Sequence, residues 1–192
     1  MEWNSEEEPA RVELRRWMPW GLLLVGVYLA LAALFWHRMF IDTEAWALCI
    51  ASQPFSQQLE QIRSDLVHPP LMYLIQRAWL AVFGSTDNAA HALPLVIVPP
   101  AILLFTLLAT RITAHWRLLS FFMCTMFLRV GAATVQVRMY GLVLLLVTAA
   151  LLLWDNWRTN PRNSTLAAWT AVMLLLVYTH LFGAVMLFAF LL

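Results

Sequence analysis

The chain has 192 residues, of which 62% are hydrophobic, 13% aromatic and only 12% charged. Soluble domains carry roughly 25% charged residues, so this composition, with a mean hydropathy of +0.72, excludes an ordinary water-soluble globule and marks an integral membrane protein. A formal net charge of +1, without any basic run long enough to follow a phosphate backbone, excludes nucleic acid as a partner.

Residues 1–16 are polar, with the acidic cluster "EEEP" ahead of Arg11, Arg15 and Arg16, and are expected to form a cytoplasmic tail. Trp17 to Trp36 run for twenty residues without a charge. At about 1.5 Å per residue they cover the ~30 Å hydrocarbon core, with Trp17, Trp20 and Trp36 at the interfaces. A cleavable leader is the competing reading, since "ALA" at 30–32 resembles a cleavage site; the length of the apolar run and the spans that follow favour a first transmembrane helix. Further apolar runs cover 90–110, 118–135, 139–154 and 165 to the end, so residues 17–192 are expected to be one all-α, polytopic transmembrane bundle. Arg11, Arg15 and Arg16, then Arg111 and Arg117, then Arg158 and Arg162 fall in the polar gaps, and the positive-inside rule puts all three groups in the cytoplasm.

Parity then makes 37–89 a long outer loop that begins and ends on the same side. The apolar run 69–83 inside it cannot cross: fifteen helical residues reach about 22 Å, and Gln76 and Arg77 would sit in lipid at its centre. The loop is expected to hold juxtamembrane helices. One covers about 43–51 and starts at Asp42; one carries Phe55, Leu59, Ile62 and Leu66 at helical spacing; one follows Pro69 and Pro70. "DNWRTNPRNS" at 155–164 is a short polar connection. Cys49 and Cys124, without CxxC or ligand spacing, are read as packing residues.

This topology gathers Asp42, Glu44, Glu60, Asp65, His68, Arg129, Gln136, Arg138 and Tyr140 on the outer side. Carboxylates beside a membrane are costly unless paired or solvated, so their convergence points to an aqueous cavity. Asp42 either caps the helix at "TEAWALCIA", with Glu44 favoured in its first turn, or faces a cavity together with Glu44. In "DLVHPP", Pro69 and Pro70 form a rigid helix start that either only sets the angle of entry or lets Asp65 and His68 beside it reach toward a metal or an acceptor. In "QVRMYG", Arg138 and Tyr140 are either interfacial anchors or a phosphate-binding pair, Arg supplying a permanent planar charge. His180 in "YTHLFG" reaches the outer surface if the last run breaks near Thr179 to Gly183, and is otherwise a satisfied intramembrane histidine.

The order "DTEAW", "HPPLMYL" before "W..VFG", "QVRMYGLVLLL" and "YTHLFG" over residues 37–183 resembles the amino-terminal half of bacterial GT-C-fold membrane glycosyltransferases. Within these it is similar to the family-39, protein-mannosyltransferase-like group, with the aminoarabinose transferases and Rgt-type enzymes. The resemblance implies a GT-C-like bundle in the bacterial inner membrane, with its site facing the periplasm. It implies transfer of a sugar, with inversion, from a polyprenyl-phosphate donor to a lipid, glycan or protein acceptor. The base would be Asp42 or Glu44, Arg138 would hold the phosphate with Tyr140 beside it, and some relatives hold a divalent metal ion, for which Asp65 or His68 would serve. Three departures stand out. "DTE" replaces adjacent acids, Gln136 stands where relatives have an acid, and the chain stops within the apolar "LFAFLL", as a truncated member would. The alternatives are a truncated, non-catalytic membrane protein binding lipid or a partner, and a small transporter. Transport would put ionisable groups near the midplane of several spans, and 139–154 has none.

Overall fold

The computed structural model describes residues 7–37, 39–65, 69–112 and 136–191. Among these residues the only regular elements are helices: α1 (Glu7–Leu34), α2 (Asp42–Ser52), α3 (Phe55–Ser64), α4 (Leu71–Phe83), α5 (Asp87–Ile112), α6 (Tyr140–Thr159), α7 (Asn163–Val177) and α8 (Phe182–Leu191). Windows in three of them, Trp17–Leu34, Asp87–Ala109 and Tyr140–Thr159, are long and apolar enough to cross a membrane. The span expected over 118–135, and Arg129 with it, lies outside the described residues.

α1 begins ten residues before the apolar run, within the segment expected to be a tail. Its opening sequence explains this: acids stand in the first turn, where the dipole favours them, and Ala, Leu, Glu and Arg follow. α1 and α5 are antiparallel neighbours. At one end Trp36 Nε1 donates to Asn88 Oδ1 at 3.1 Å; towards the other, a side chain added at Gly21 would lie 3.0 Å from Leu103. Tyr28, Ala32, Val98 and Ile102 are buried between them. Trp36 and Asn88 therefore stand at the same end of the α1–α5 pair.

α6 runs parallel to α5. Gly141 lets the first turn of α6 lie on α5, since a Cβ there would sit 2.8 Å from Val98 Cγ2, and at the far end Arg111 donates to Asn156 Oδ1 at 2.6 Å. α7 returns antiparallel to α6, with Trp154 packed against Trp169 at 5.3 Å between ring centroids. Arg111, Arg158 and Arg162 thus lie at the end of the bundle opposite α2, α3 and α4.

The expectation for Cys49 changes, and those for α3 and the last apolar run gain detail. The helix α3 buries Gln58 and Ile62 and leaves Phe55 exposed, because polar bonds rather than an apolar stripe turn it towards α4. Gln58 Nε2 donates to Tyr73 O at 3.2 Å, and the Arg77 guanidinium lies 5.6 Å over the Phe55 ring. Cys49 is exposed and free, not a packing residue. The last apolar run is broken after Val177 and resumes at Phe182. There Gly183 lies against the end of α7 so closely that a Cβ would meet Leu176 backbone atoms at 2.5 Å.

Candidate functional site

The end of the bundle that carries α2, α3 and α4 brings together five segments far apart in the chain: the start of α2, the end of α3, the start of α4, residues 136–139 and the break at 178–181. Glu44 is fully buried. As the third residue of α2 it turns back on the helix start: Oε2 accepts from Ile41 N at 3.0 Å, while Oε1 accepts from Val137 N at 2.8 Å. Ile41, with no side-chain acceptor of its own, is the capping residue, so this is the returning half of a capping box, extended to a second strand of backbone. Asp42 is therefore not the cap. It sits exposed in the first turn of α2, where the helix dipole favours its charge.

Arg138 is buried, 8% exposed, and its Nη1 donates to Thr43 O at 2.8 Å. A guanidinium cannot discharge by losing a proton, so its burial demands acceptors, and the carbonyl of Thr43 is one of them. On the facing helix Gln76 Nε2 donates to Val137 O at 2.7 Å. Residue 137 is thus pinned on both sides, its N–H by Glu44 and its carbonyl by Gln76, which fixes the bend leading into α6 and aims Arg138 back at α2.

Asp65 ends α3, and its Oδ2 accepts from the Tyr73 hydroxyl at 2.8 Å. Burial first, then the bond to Asp65 and that carboxylate's charge, push the Tyr73 hydroxyl well above the ordinary tyrosine range, against a smaller opposing pull from Arg138. Tyr73 is consequently a donor at every physiological pH. The break after α7 closes the site. Leu71 N donates to Tyr178 O at 2.9 Å, and His180 Nδ1 accepts from Phe182 N at 3.1 Å, capping the first turn of α8. That bond leaves the proton of a neutral His180 on Nε2.

These groups surround a narrow, half-open cleft of about 10 Å3, room for about one water molecule or one hydroxyl, lined by Ala47, Pro69, Met72, Tyr73, Gln76, Arg138, Met139 and Thr179. Of the residues expected from sequence, Glu44, Asp65 and Arg138 are joined here directly or through one partner. Gln136 is half-buried and Tyr140 is 42% exposed, and neither lines the cleft; His180 adjoins it through Thr179. His68 lies outside the described residues. Tyr73, Gln76 and Thr179 are additions. The only sequence signal for Gln76 was a polar residue inside an apolar helix, and Tyr73 gave none.

No group of three His, Cys, Asp or Glu among the described residues could hold a metal ion, and His68, expected beside Asp65 as a ligand, lies outside them. No protein-family model, curated protein or solved structure matches the chain.

Proposed function

We propose that the chain forms the donor-site end of a GT-C-type membrane glycosyltransferase, which moves a sugar from a polyprenyl phosphate to an acceptor on the outer face of the bacterial inner membrane. The observation that carries this reading is the buried Arg138 in a cleft at the end of the bundle opposite Arg111, Arg158 and Arg162. A fixed cation at that depth suits a phosphate that arrives on a lipid and never leaves the membrane surface.

In this mechanism the acceptor hydroxyl oxygen attacks the anomeric carbon from the face opposite the phosphate. The bond from that carbon to the phosphate oxygen breaks, and its electron pair leaves with the lipid phosphate, whose growing charge Arg138 offsets. The hydroxyl proton passes to a carboxylate. Asp42 is assigned that role, because both oxygens of Glu44 already accept backbone N–H groups and its side chain is fully buried. Glu44 and Gln76 are positioning residues that hold 137 and 138.

The test is transfer from radiolabelled polyprenyl-phosphate sugars by membranes containing the chain, or a longer natural form of it. Asp42→Asn is expected to lower the rate by about a hundredfold or more, as for loss of a general base, with donor binding retained. Arg138→Ala is expected to abolish donor binding. Transfer unchanged in Asp42→Asn would refute the base assignment, and donor binding without transfer in the unaltered chain would favour a non-catalytic lipid-binding protein.

A further inference from the structure

Gln76 is 1% exposed and lines the cleft, and its Oε1 has no hydrogen-bond partner. The amide cannot be turned round to mend this: Nε2 donates to Val137 O at 2.7 Å, and a carbonyl facing that carbonyl would be repelled. A buried amide oxygen without a donor is costly, and the cost disappears when a ligand brings a hydrogen to it. Of the other cleft side chains Arg138 carries donors, but none of them reaches Oε1, and the rest do not supply that hydrogen. Tyr73 gives its proton to Asp65, Thr179 Oγ1 donates to Leu175 O at 2.7 Å, and Ala47, Pro69, Met72 and Met139 carry no side-chain donor. The cleft thus presents a cation, Arg138, together with one bare acceptor, and so matches a ligand with a negative group and a donor hydrogen close beside it.

We propose that Gln76 is a specificity-determining residue whose Oε1 accepts a hydrogen bond from a hydroxyl of the phosphate-linked sugar. This rests on the reading of the cleft as a donor site and adds to it the means by which the site tells sugar from bare lipid phosphate. A site built with an unpaired polar atom rejects the analogue that lacks the matching group. A hydroxyl close to a phosphate also occurs in the glycerol headgroup of phosphatidylglycerol, and the experiment separates the two.

Binding is measured by tryptophan fluorescence, since Trp46 lies edge-on to Tyr73 at 6.2 Å between centroids. The full chain in phosphatidylcholine nanodiscs is titrated with farnesyl phosphate, with its glucose, galactose and mannose esters, and with the monodeoxy forms of the tightest of these. One monodeoxy form is expected to bind the unaltered chain about tenfold more weakly than its parent, the worth of one hydrogen bond. In Gln76→Met, which keeps the volume, that penalty is expected to shrink to about twofold or less. A penalty that persists in Gln76→Met overturns the assignment. Should that variant not fold, the unaltered chain decides alone: a deoxy series flat to within about twofold means that water or nothing satisfies Oε1, and the assignment falls. Displacement of the probe by phosphatidylglycerol, with affinity that depends on Gln76, overturns the sugar as its partner. Binding of farnesyl phosphate and its esters with equal affinity overturns Gln76 selectivity alone, whereas no binding of any of them overturns the donor-site reading and this inference together.

Discussion

Glu44 is the residue on which the site is hung. One carboxylate closes the start of α2 and holds the backbone 93 residues later at Val137. Replacing it by alanine leaves the buried Val137 N–H without that acceptor, at about 1–3 kcal/mol, and gives the part-buried Ile41 N–H over to water. Glu44→Ala is therefore expected to lower the thermal unfolding midpoint in detergent by several degrees, and Glu44→Gln, which keeps one acceptor oxygen, by less. The Tyr73 hydroxyl makes a separate, pH-linked contribution. Its folded pKa lies above its unfolded one, so the folded chain holds this proton more tightly. The resulting stability is fully present below about pH 10, the unfolded tyrosine value, and declines as the pH rises beyond it. Unfolding measured between about pH 9 and 11.5 should show a steeper loss in the unaltered chain than in Tyr73→Phe. The sequence displayed Glu44 as an acid near Asp42, but two residues of separation could not say which would turn inward. That choice is made by Val137, whose N–H has no helical partner before α6 begins, and such a long-range backbone demand leaves no mark in composition or spacing.

Among the elements, the helices inside the apolar runs were legible because length and hydropathy alone specify them, and the 69–83 run was read as non-crossing from Gln76 and Arg77. The orientation of α3 was not legible. Its apolar stripe marked a helix lying in the interface plane and gave no sign that Gln58 would be buried, drawn in by the Tyr73 carbonyl and by Arg77, 3.4 Å from its Oε1. The break between α7 and α8 was foreseen only as an alternative, since His180 and Gly183 are compatible with either a turn or a continuous helix. Gly183 now shows why it must be a glycine. A Cβ would collide with Leu176 and Val177 backbone atoms, which cannot rotate away. Gly183→Ala is expected to destabilise the fold by about 1–3 kcal/mol, the usual penalty of forced overpacking, and to weaken farnesyl phosphate binding by moving Thr179. Gly26→Ala, where a Cβ meets nothing within 4 Å, is the matched control and should leave both unchanged.

At the scale of the whole molecule, the bundle has two unlike ends. One carries Arg111, Arg158, Arg162 and the Trp154, Trp157 and Trp169 cluster; the other carries the short helices and the cleft. The positive-inside rule would place the arginine end in the cytoplasm. Single cysteines at Ser56 and Arg162, in a chain with Cys49 and Cys124 replaced by serine, test this directly. A membrane-impermeant maleimide added to intact cells should label Ser56→Cys, and Arg162→Cys only after the cells are opened. The reverse pattern would invert the topology and place the cleft at the cytoplasmic surface.

The backbone bond from Leu71 to Tyr178 also sets a timetable. During synthesis at about 5–20 residues per second, the start of α4 waits several seconds or more for the carbonyl that receives its N–H, and Glu44 waits almost as long for Val137. The outer helices are made early but completed late. In that interval the carboxylate of Glu44 must remain hydrated at the membrane surface, so the site is assembled by the arrival of the last third of the chain.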